Sequence, residues 1–256
     1  MHQTVDAMRH RTSEVHPGGS WRQRALAMLP RGLELDDTAW SKRHRVILSV
    51  LWLHVPALLG IALIRGYSPV HAIAETAPVA AFAFLGKRLP VREYQTIATC
   101  LGLLLADAVV VHFTGGVIEA HFTFFVMIPL IALYQDIKAF AIAVGFVAGH
   151  HVVMTLVDPN GVFNHVAAQH KPILWAAIHA GFVVALVGVV LVFWRFAEET
   201  QFELADIVSD LERRSQKSDE DARAAQATAD QLAALMDELQ HRSTAAEDDA
   251  RAKDAA

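Results

Sequence analysis

Histidine is the residue type in this sequence best placed to do chemistry. The chain has 14 histidines among 256 residues, and several fall inside long apolar runs, where ionisable residues are costly and usually functional. Neutral imidazole is the commonest metal ligand in proteins, and a carboxylate often holds its second ring nitrogen. The apolar runs therefore contain the residue types of a metal or haem site.

The depth of each histidine along its apolar run sorts the group into levels. With a rise of about 1.5 Å per helical residue, the shallow level lies roughly 3 to 6 Å from the predicted outer end, a second level near 10 Å, and one residue near 16 Å. In that order the levels contain His71, His112 and His121, then His150, His151 and His179, and finally His54. The outer half of the apolar runs also contains Glu75, Asp107 and Glu119.

Haem iron held by two imidazoles needs histidines on facing helices at comparable depth, beside an apolar slot. We predict the haem ligands to come from His54, His121, His150, His151 and His179. Adjacent residues on a helix point about 100° apart, so His150 and His151 are not expected to face the same centre. The small residues Gly145, Gly149 and Gly181 either open the slot or pack helices closely.

Three other interpretations of these residues remain open. Copper or zinc bound near the outer surface would suit His71, His112, Glu75 and Glu119. Alternatively, each intramembrane histidine is an interhelical hydrogen-bond partner, and the protein carries no metal. A membrane b-type cytochrome oxidoreductase is a further alternative, but it would need haem near both membrane faces, and the inner half of the runs is poor in histidine.

Six apolar segments are long enough to position these residues as membrane-spanning helices, which need roughly 17 to 25 residues each. The chain is 54% hydrophobic, and we predict an all-α membrane protein with a six-helix transmembrane bundle. The predicted spans are Val46–Ile64, Pro69–Leu85, Thr96–Phe113, Val117–Tyr134, Ile137–Val157 and Ile173–Trp194.

Basic residues beside the spans predict the orientation of the bundle. They crowd the stretch before the first span, the second and fourth connections, and the end of the sixth span, whereas the opposite side has only Arg65 and Lys171. Both termini are therefore expected in the cytoplasm of a bacterial inner-membrane protein. No cleavable signal peptide is expected. The net charge of −5 gives no nucleic-acid footprint.

After Arg195 the sequence becomes charged and rich in alanine, and small or apolar residues recur in one heptad frame. This pattern predicts a parallel coiled-coil dimer. The predicted domains are a cytoplasmic segment 1–42, a transmembrane domain 43–195 and a signalling coiled coil 196–256. The heptad seam consists of Leu204, Val208, Leu211, Ser215, Ser218, Ala222, Ala225, Ala229, Leu232, Met236, Leu239, Ser243, Ala246 and Ala250.

The string HFTGGVIEAHF from His112 to Phe122 has several companions: Phe124-Phe125-Val126, Leu133-Tyr134-Gln135-Asp136 and His150-His151. With a weaker contribution from Arg43-His44-Arg45 and His54-Val55-Pro56, this set resembles the six-helix membrane sensory domain of bacterial diguanylate cyclases, histidine kinases and chemoreceptors.

The resemblance covers roughly residues 40 to 200 and implies a signal-input module. We expect b-type haem at the histidines, with a redox or gas-ligand signal passed through helix six to the coiled coil. A downstream output domain or protein would receive the signal. No kinase or cyclase motif is recognisable in this sequence, so the chain itself is not expected to be an enzyme.

Overall fold

The computed structural model describes residue 20, residues 29–30, residue 32 and residues 35–254, with side chains through residue 245. Most of these residues are helical, no strand occurs among them, and the predicted all-α fold is confirmed. Most of the predicted segment 1–42, and the seam residues Ala246 and Ala250, lie outside the part described in side-chain detail.

Six helices make up most of the described chain, and short turns connect them. A 3-10 turn, Ile118–His121, leads into the fourth helix, and two short helices, Pro159–Val162 and Val166–His170, lie between the fifth and the sixth. The six are α1 (Asp37–Ile64), α2 (Pro69–Arg88), α3 (Arg92–Thr114), α4 (Phe122–Ala132), α5 (Ile137–Val157) and α6 (Pro172–Asp254).

Five of these helices, all except α4, are long and apolar enough to cross a membrane. The fourth predicted span, Val117–Tyr134, forms a shorter apolar unit, Ile118–Ala132. Its α-helical part has 11 residues, or about 16 Å at the usual rise, against about 30 Å of hydrocarbon. That this fourth segment crosses the membrane therefore remains a prediction.

Backbone geometry at both ends explains why α4 is short. Gly115 and Gly116 both have left-handed φ values, +70° and +74°, which end α3 and delay the next helix. At the other end Gln135 also has a positive φ, 53°. Asp136 follows and caps α5 by accepting hydrogen bonds from the backbone N–H groups of Lys138 and Ala139.

Helix α3 is the central element of a tightly packed group formed with α1 and α2. About two thirds of its apolar stretch (67%) is buried, against 28% in each of α1 and α2. At Gly102 a Cβ atom would lie 2.7 Å from Leu51 of α1 and 2.8 Å from Phe82 of α2. The first three helices therefore form the rigid side of the bundle.

A buried hydrogen-bond network ties the helix ends together on the side predicted to be cytoplasmic. The Nε2 atom of His44 lies 3.0 Å from the carbonyl oxygen of Gly86, and its Nδ1 atom lies 2.8 Å from the Tyr134 hydroxyl. Because a carbonyl only accepts, Nε2 carries the proton and the Tyr134 hydroxyl donates to Nδ1. His44 thus joins α1, α2 and the turn that follows α4.

The loop between α5 and α6 (residues 158–171) docks onto the turn between α3 and α4. Asn164 donates its backbone N–H to the carbonyl oxygen of Gly116 at 3.1 Å. Val162, Phe163 and Ala168 form a small buried cluster of their own. The paired glycines of the motif therefore hold this loop over the bundle; it is called the outer loop because it lies on the side predicted to face outward.

The chain divides into two compact units after Glu198, and the second unit, taken by itself, is one helix. Its large apolar residues are exposed: Leu211 by 60%, Leu232 by 57% and Met236 by 67%. These three belong to the heptad seam, so the seam is not covered within a single chain.

We predict that Gly116→Ala destabilises the protein more than Gly115→Ala does. Both substitutions place a Cβ in a left-handed conformation, at about 1 to 2 kcal/mol each. At Gly116 the new Cβ would also lie 2.6 Å from the backbone carbon of Val162, whereas at Gly115 its nearest neighbour is Arg65 at 3.8 Å. The measurement is the apparent Tm of both variants in the same detergent, and equal losses would refute the docking contact.

Candidate functional site

Three predicted haem-ligand residues come together, one each from the 3-10 turn before α4, from α5 and from α6. The rings of His121, His151 and His179, here called the imidazole cluster, have centres 5.8 Å apart for His121 and His179 and 5.9 Å for His121 and His151. His151 and His179 stack at 4.6 Å with an angle of 13°. Neighbouring helices thus present three imidazoles to one place.

Local backbone bonds fix the proton position on two of these rings. His121 places Nδ1 3.2 Å from the carbonyl oxygen of Val117, and His151 places Nδ1 2.8 Å from that of Val147. A carbonyl oxygen can only accept, so Nδ1 carries the proton and Nε2 keeps its lone pair. This is the tautomer that a metal-binding imidazole needs at Nε2.

Two of the remaining ring nitrogens of the cluster lack a hydrogen-bond partner. The Nε2 atoms of His151 and His179 are buried and make no hydrogen bond. Most buried side-chain polar atoms are hydrogen-bonded, and an unsatisfied group in hydrocarbon costs several kcal/mol. Two such nitrogens beside one another favour a bound ligand.

An apolar cavity of about 690 Å³ lies beside the cluster, and all three histidines line it. This size is within the range of about 300 to 1,000 Å³ typical of small-molecule sites. Phe163 of the outer loop stacks on His121 at 6.4 Å, which places the docked loop at the edge of the cavity. The other lining residues are Ile118, Phe122, Phe125, Trp175, Ala176, Ile178, Phe182, Ala185, Leu186 and Val189.

His150 does not line the cavity that His151 lines. Its ring stacks on Phe146 at 5.9 Å, and its Nδ1 atom is buried and makes no hydrogen bond. The two adjacent rings meet edge to face at 5.6 Å, and both contact Phe124. Their surroundings therefore overlap, but only His151 reaches the cavity.

His54 stays apart from the imidazole cluster. Its Nδ1 atom lies 2.8 Å from the carbonyl oxygen of Val50 on its own helix, and it does not line the cavity. The glycines predicted to open a slot are not in close packing within the chain, since a Cβ at Gly145, Gly149 or Gly181 would meet nothing within 4 Å.

A second cluster forms where α2 begins and α3 ends, on the side predicted to face outward. His71, Glu75 and His112, here called the outer triad, place one ligand atom each within 4.8 Å of one another. The fourth residue of that predicted set, Glu119, is exposed and does not join them. Among the residues that the structure describes, the outer triad is the group of histidine, cysteine and carboxylate atoms that converges this closely.

Some residues that matter in the structure give little signal in the sequence. Phe163 and Trp175 reach the cavity only because the outer loop folds back. Asp107 is fully buried on α3, and neither carboxylate oxygen has a hydrogen bond of good geometry, although Thr123 lies against it. The Leu-Tyr-Gln-Asp string includes Tyr134, but the sequence gives no signal for its hydrogen bond to His44.

The chain is similar to a protein named as a transducer. It is 33% identical over 189 residues to Transducer protein Htr8 of Halobacterium salinarum, an alignment that takes in 69% of this chain and 29% of that protein. The chain therefore spans less than a third of the length of this relative. No family model and no solved structure matches the chain.

Proposed function

We propose that this chain is a membrane-embedded signal-input module that binds b-type haem at the imidazole cluster. A redox or gas-ligand signal would pass along α6 to a coiled coil and on to a downstream output domain or protein. The observation that carries the cofactor part is the pair of unsatisfied Nε2 atoms of His151 and His179 beside an apolar cavity.

The signalling role is supported by the similarity to a transducer protein together with helices of membrane-spanning length. A transducer passes information and does not need a catalytic site in its membrane part. Helix α6 supports the same role because it is continuous from Pro172 to Asp254, and a continuous helix can convey a displacement along its axis.

The spacing of the donors favours a large flat ligand over a bare ion. The ring nitrogens of the imidazole cluster do not all lie within 4.8 Å of one another, whereas the ligand atoms of the outer triad do. A tetrahedral ion with bonds of about 2 Å needs its donors about 3.3 Å apart. Imidazoles spread around an apolar cavity suit a macrocycle, which brings its own four nitrogens to the iron.

His121 is the proposed common ligand: it would hold the haem iron together with either His151 or His179. Two imidazoles that hold one iron by bonds of about 2 Å can have ring centres about 6 Å apart. The pairs that include His121 are at 5.8 and 5.9 Å. The 4.6 Å stack of His151 on His179 leaves no room for an ion between the rings.

Bound haem would supply an iron centre that changes redox state or takes a diatomic ligand. The residues of the chain provide the orientation and the apolar surroundings. The backbone carbonyls of Val117 and Val147 hold the proton on Nδ1 of His121 and His151, and Phe163 covers the outer edge of the cavity.

Helix α6 is suited to respond because only a narrow face of it is buried. Val183, Val190 and Trp194 are each at most 8% exposed, whereas Val184 and Phe193 are about 70% exposed. Trp194 meets Phe140 of α5 edge to face at 5.9 Å. A change of ligation at His179 would alter packing along this face, and a switch of this kind needs two arrangements a few kcal/mol apart.

We predict that His121→Ala abolishes haem binding, because the common ligand is lost. His151→Ala and His179→Ala should each lower haem content, with the larger loss at whichever residue holds the iron together with His121. His54→Ala and His150→Ala are matched controls that keep full haem content. The measurement is haem per protomer from the Soret absorbance of full-length protein expressed with haem supplied.

The helicity and the monodisperse elution of each variant serve as controls that it is folded. Added imidazole should restore haem to His121→Ala, since the cavity remains. Full haem content in His121→Ala would defeat the ligand assignment. A wild-type protein without haem under these conditions would defeat the cofactor proposal.

The coiled coil is proposed to join two protomers, as its exposed seam suggests. We predict that Leu232→Cys, a seam position, forms an intermolecular disulfide under mild oxidation. Ala234→Cys, two residues further on the opposite face of the helix, should not. The natural Cys100 is buried and does not interfere. Non-reducing gels of the full chain in membranes give the result, and equal crosslinking at both positions would contradict the dimer.

A further inference from the structure

The outer triad lies away from the cavity and draws its residues from two helices. His71 and Glu75 are one turn apart on α2, and His112 lies in the last turn of α3. Oxygen Oε1 of Glu75 lies 3.0 Å from Nε2 of His71 and 3.3 Å from Nε2 of His112. Two imidazoles thus converge on one carboxylate oxygen.

This convergence is poorly explained by hydrogen bonding alone. The Nε2 atom of His71 is buried and makes no hydrogen bond, even though the carboxylate oxygen is 3.0 Å away. Two atoms that lie close together without the alignment of a hydrogen bond leave a buried donor or acceptor unsatisfied. Such a group lowers the stability by about 1 to 3 kcal/mol. A cation between the three groups would satisfy them together.

Neighbouring residues hold the triad in position. Ser68 caps α2 and accepts a hydrogen bond from the backbone N–H of His71 at 3.3 Å. The ring of Tyr67 stacks on His71 with centres 4.9 Å apart, and its hydroxyl donates to the carbonyl oxygen of His112 at 3.4 Å. Supporting contacts of this kind orient the ligands of protein metal sites.

We infer that His71, Glu75 and His112 form a binding site for one divalent transition-metal ion of the zinc or copper class. Two neutral imidazoles and one carboxylate suit these ions better than calcium or magnesium, which prefer oxygen ligands. With bonds of about 2 Å a tetrahedral ion holds its ligand atoms about 3.3 Å apart, so the triad needs only small side-chain adjustments.

The site has an open fourth position and access from the outer surface. The side chain of His112 is 45% exposed and that of His71 is 42% exposed. A water molecule would complete the coordination, as in three-ligand zinc sites. None of the triad lines the cavity of the imidazole cluster, so the ion would link α2 to α3 independently of haem.

The test is equilibrium dialysis of the full-length protein in detergent against Zn²⁺ alone, after chelator treatment and with a purification tag free of histidine. We expect one tightly bound ion per wild-type protomer. Glu75→Gln and His112→Ala should weaken that site by at least about tenfold, since loss of a ligand costs no less than loss of its supporting contacts. Glu119→Gln, the matched control, should bind as wild type does.

Unchanged tight binding in Glu75→Gln and His112→Ala would overturn the proposal, as would the absence of a tight site in the wild-type protein. Replacing Zn²⁺ by Co²⁺ gives an independent readout, because tetrahedral nitrogen and oxygen ligation produces visible bands. These bands are expected in wild type and Glu119→Gln and not in Glu75→Gln. Helicity and haem content of each variant confirm that it is folded.

Discussion

The central constraint on this bundle is that polar groups in hydrocarbon must find their partners within the protein. His121 and His151 meet half of this requirement through Nδ1, which donates to a carbonyl oxygen one turn back. Together with His179 they line an apolar cavity, where neighbouring side chains offer no hydrogen bond to Nε2 of His151 or His179. The proposed cofactor is the means by which the site would satisfy them.

The bundle has a tightly packed side and a looser side, and the two histidine clusters divide between them. Helices α1 to α3 approach closely at Gly102 and hold the outer triad at their ends. The imidazole cluster lies where α6 meets α4 and α5, beside the cavity. This division places the proposed responsive site next to α6 and the proposed metal link within the rigid helices.

Sequence reasoning predicted the all-α fold, because composition and the length of the apolar runs determine it. It also placed His71, His112 and Glu75 in one set, and the structure brings them together. It did not predict which face of a helix each residue presents. That depends on packing, which brings His151 rather than His150 to the cavity, keeps His54 away from it and leaves Glu119 exposed.

The shortness of α4 and the position of Phe163 were also beyond the sequence pattern. An apolar run from Val117 to Tyr134 is long enough to span, and only the backbone turns at Gly116 and Gln135 shorten the helix. Phe163 reaches the cavity because Asn164 bonds to Gly116. Both are tertiary effects that hydrophobic periodicity does not encode.

The most direct test of the central claim is the electron paramagnetic resonance spectrum of the oxidised full-length protein, purified with haem supplied during expression. If His121 and one partner imidazole hold the iron, the protein should give a low-spin ferric signal that is lost in His121→Ala and kept in His54→Ala. A spectrum with no ferric haem signal, or a low-spin signal that persists unchanged in His121→Ala, would contradict the account.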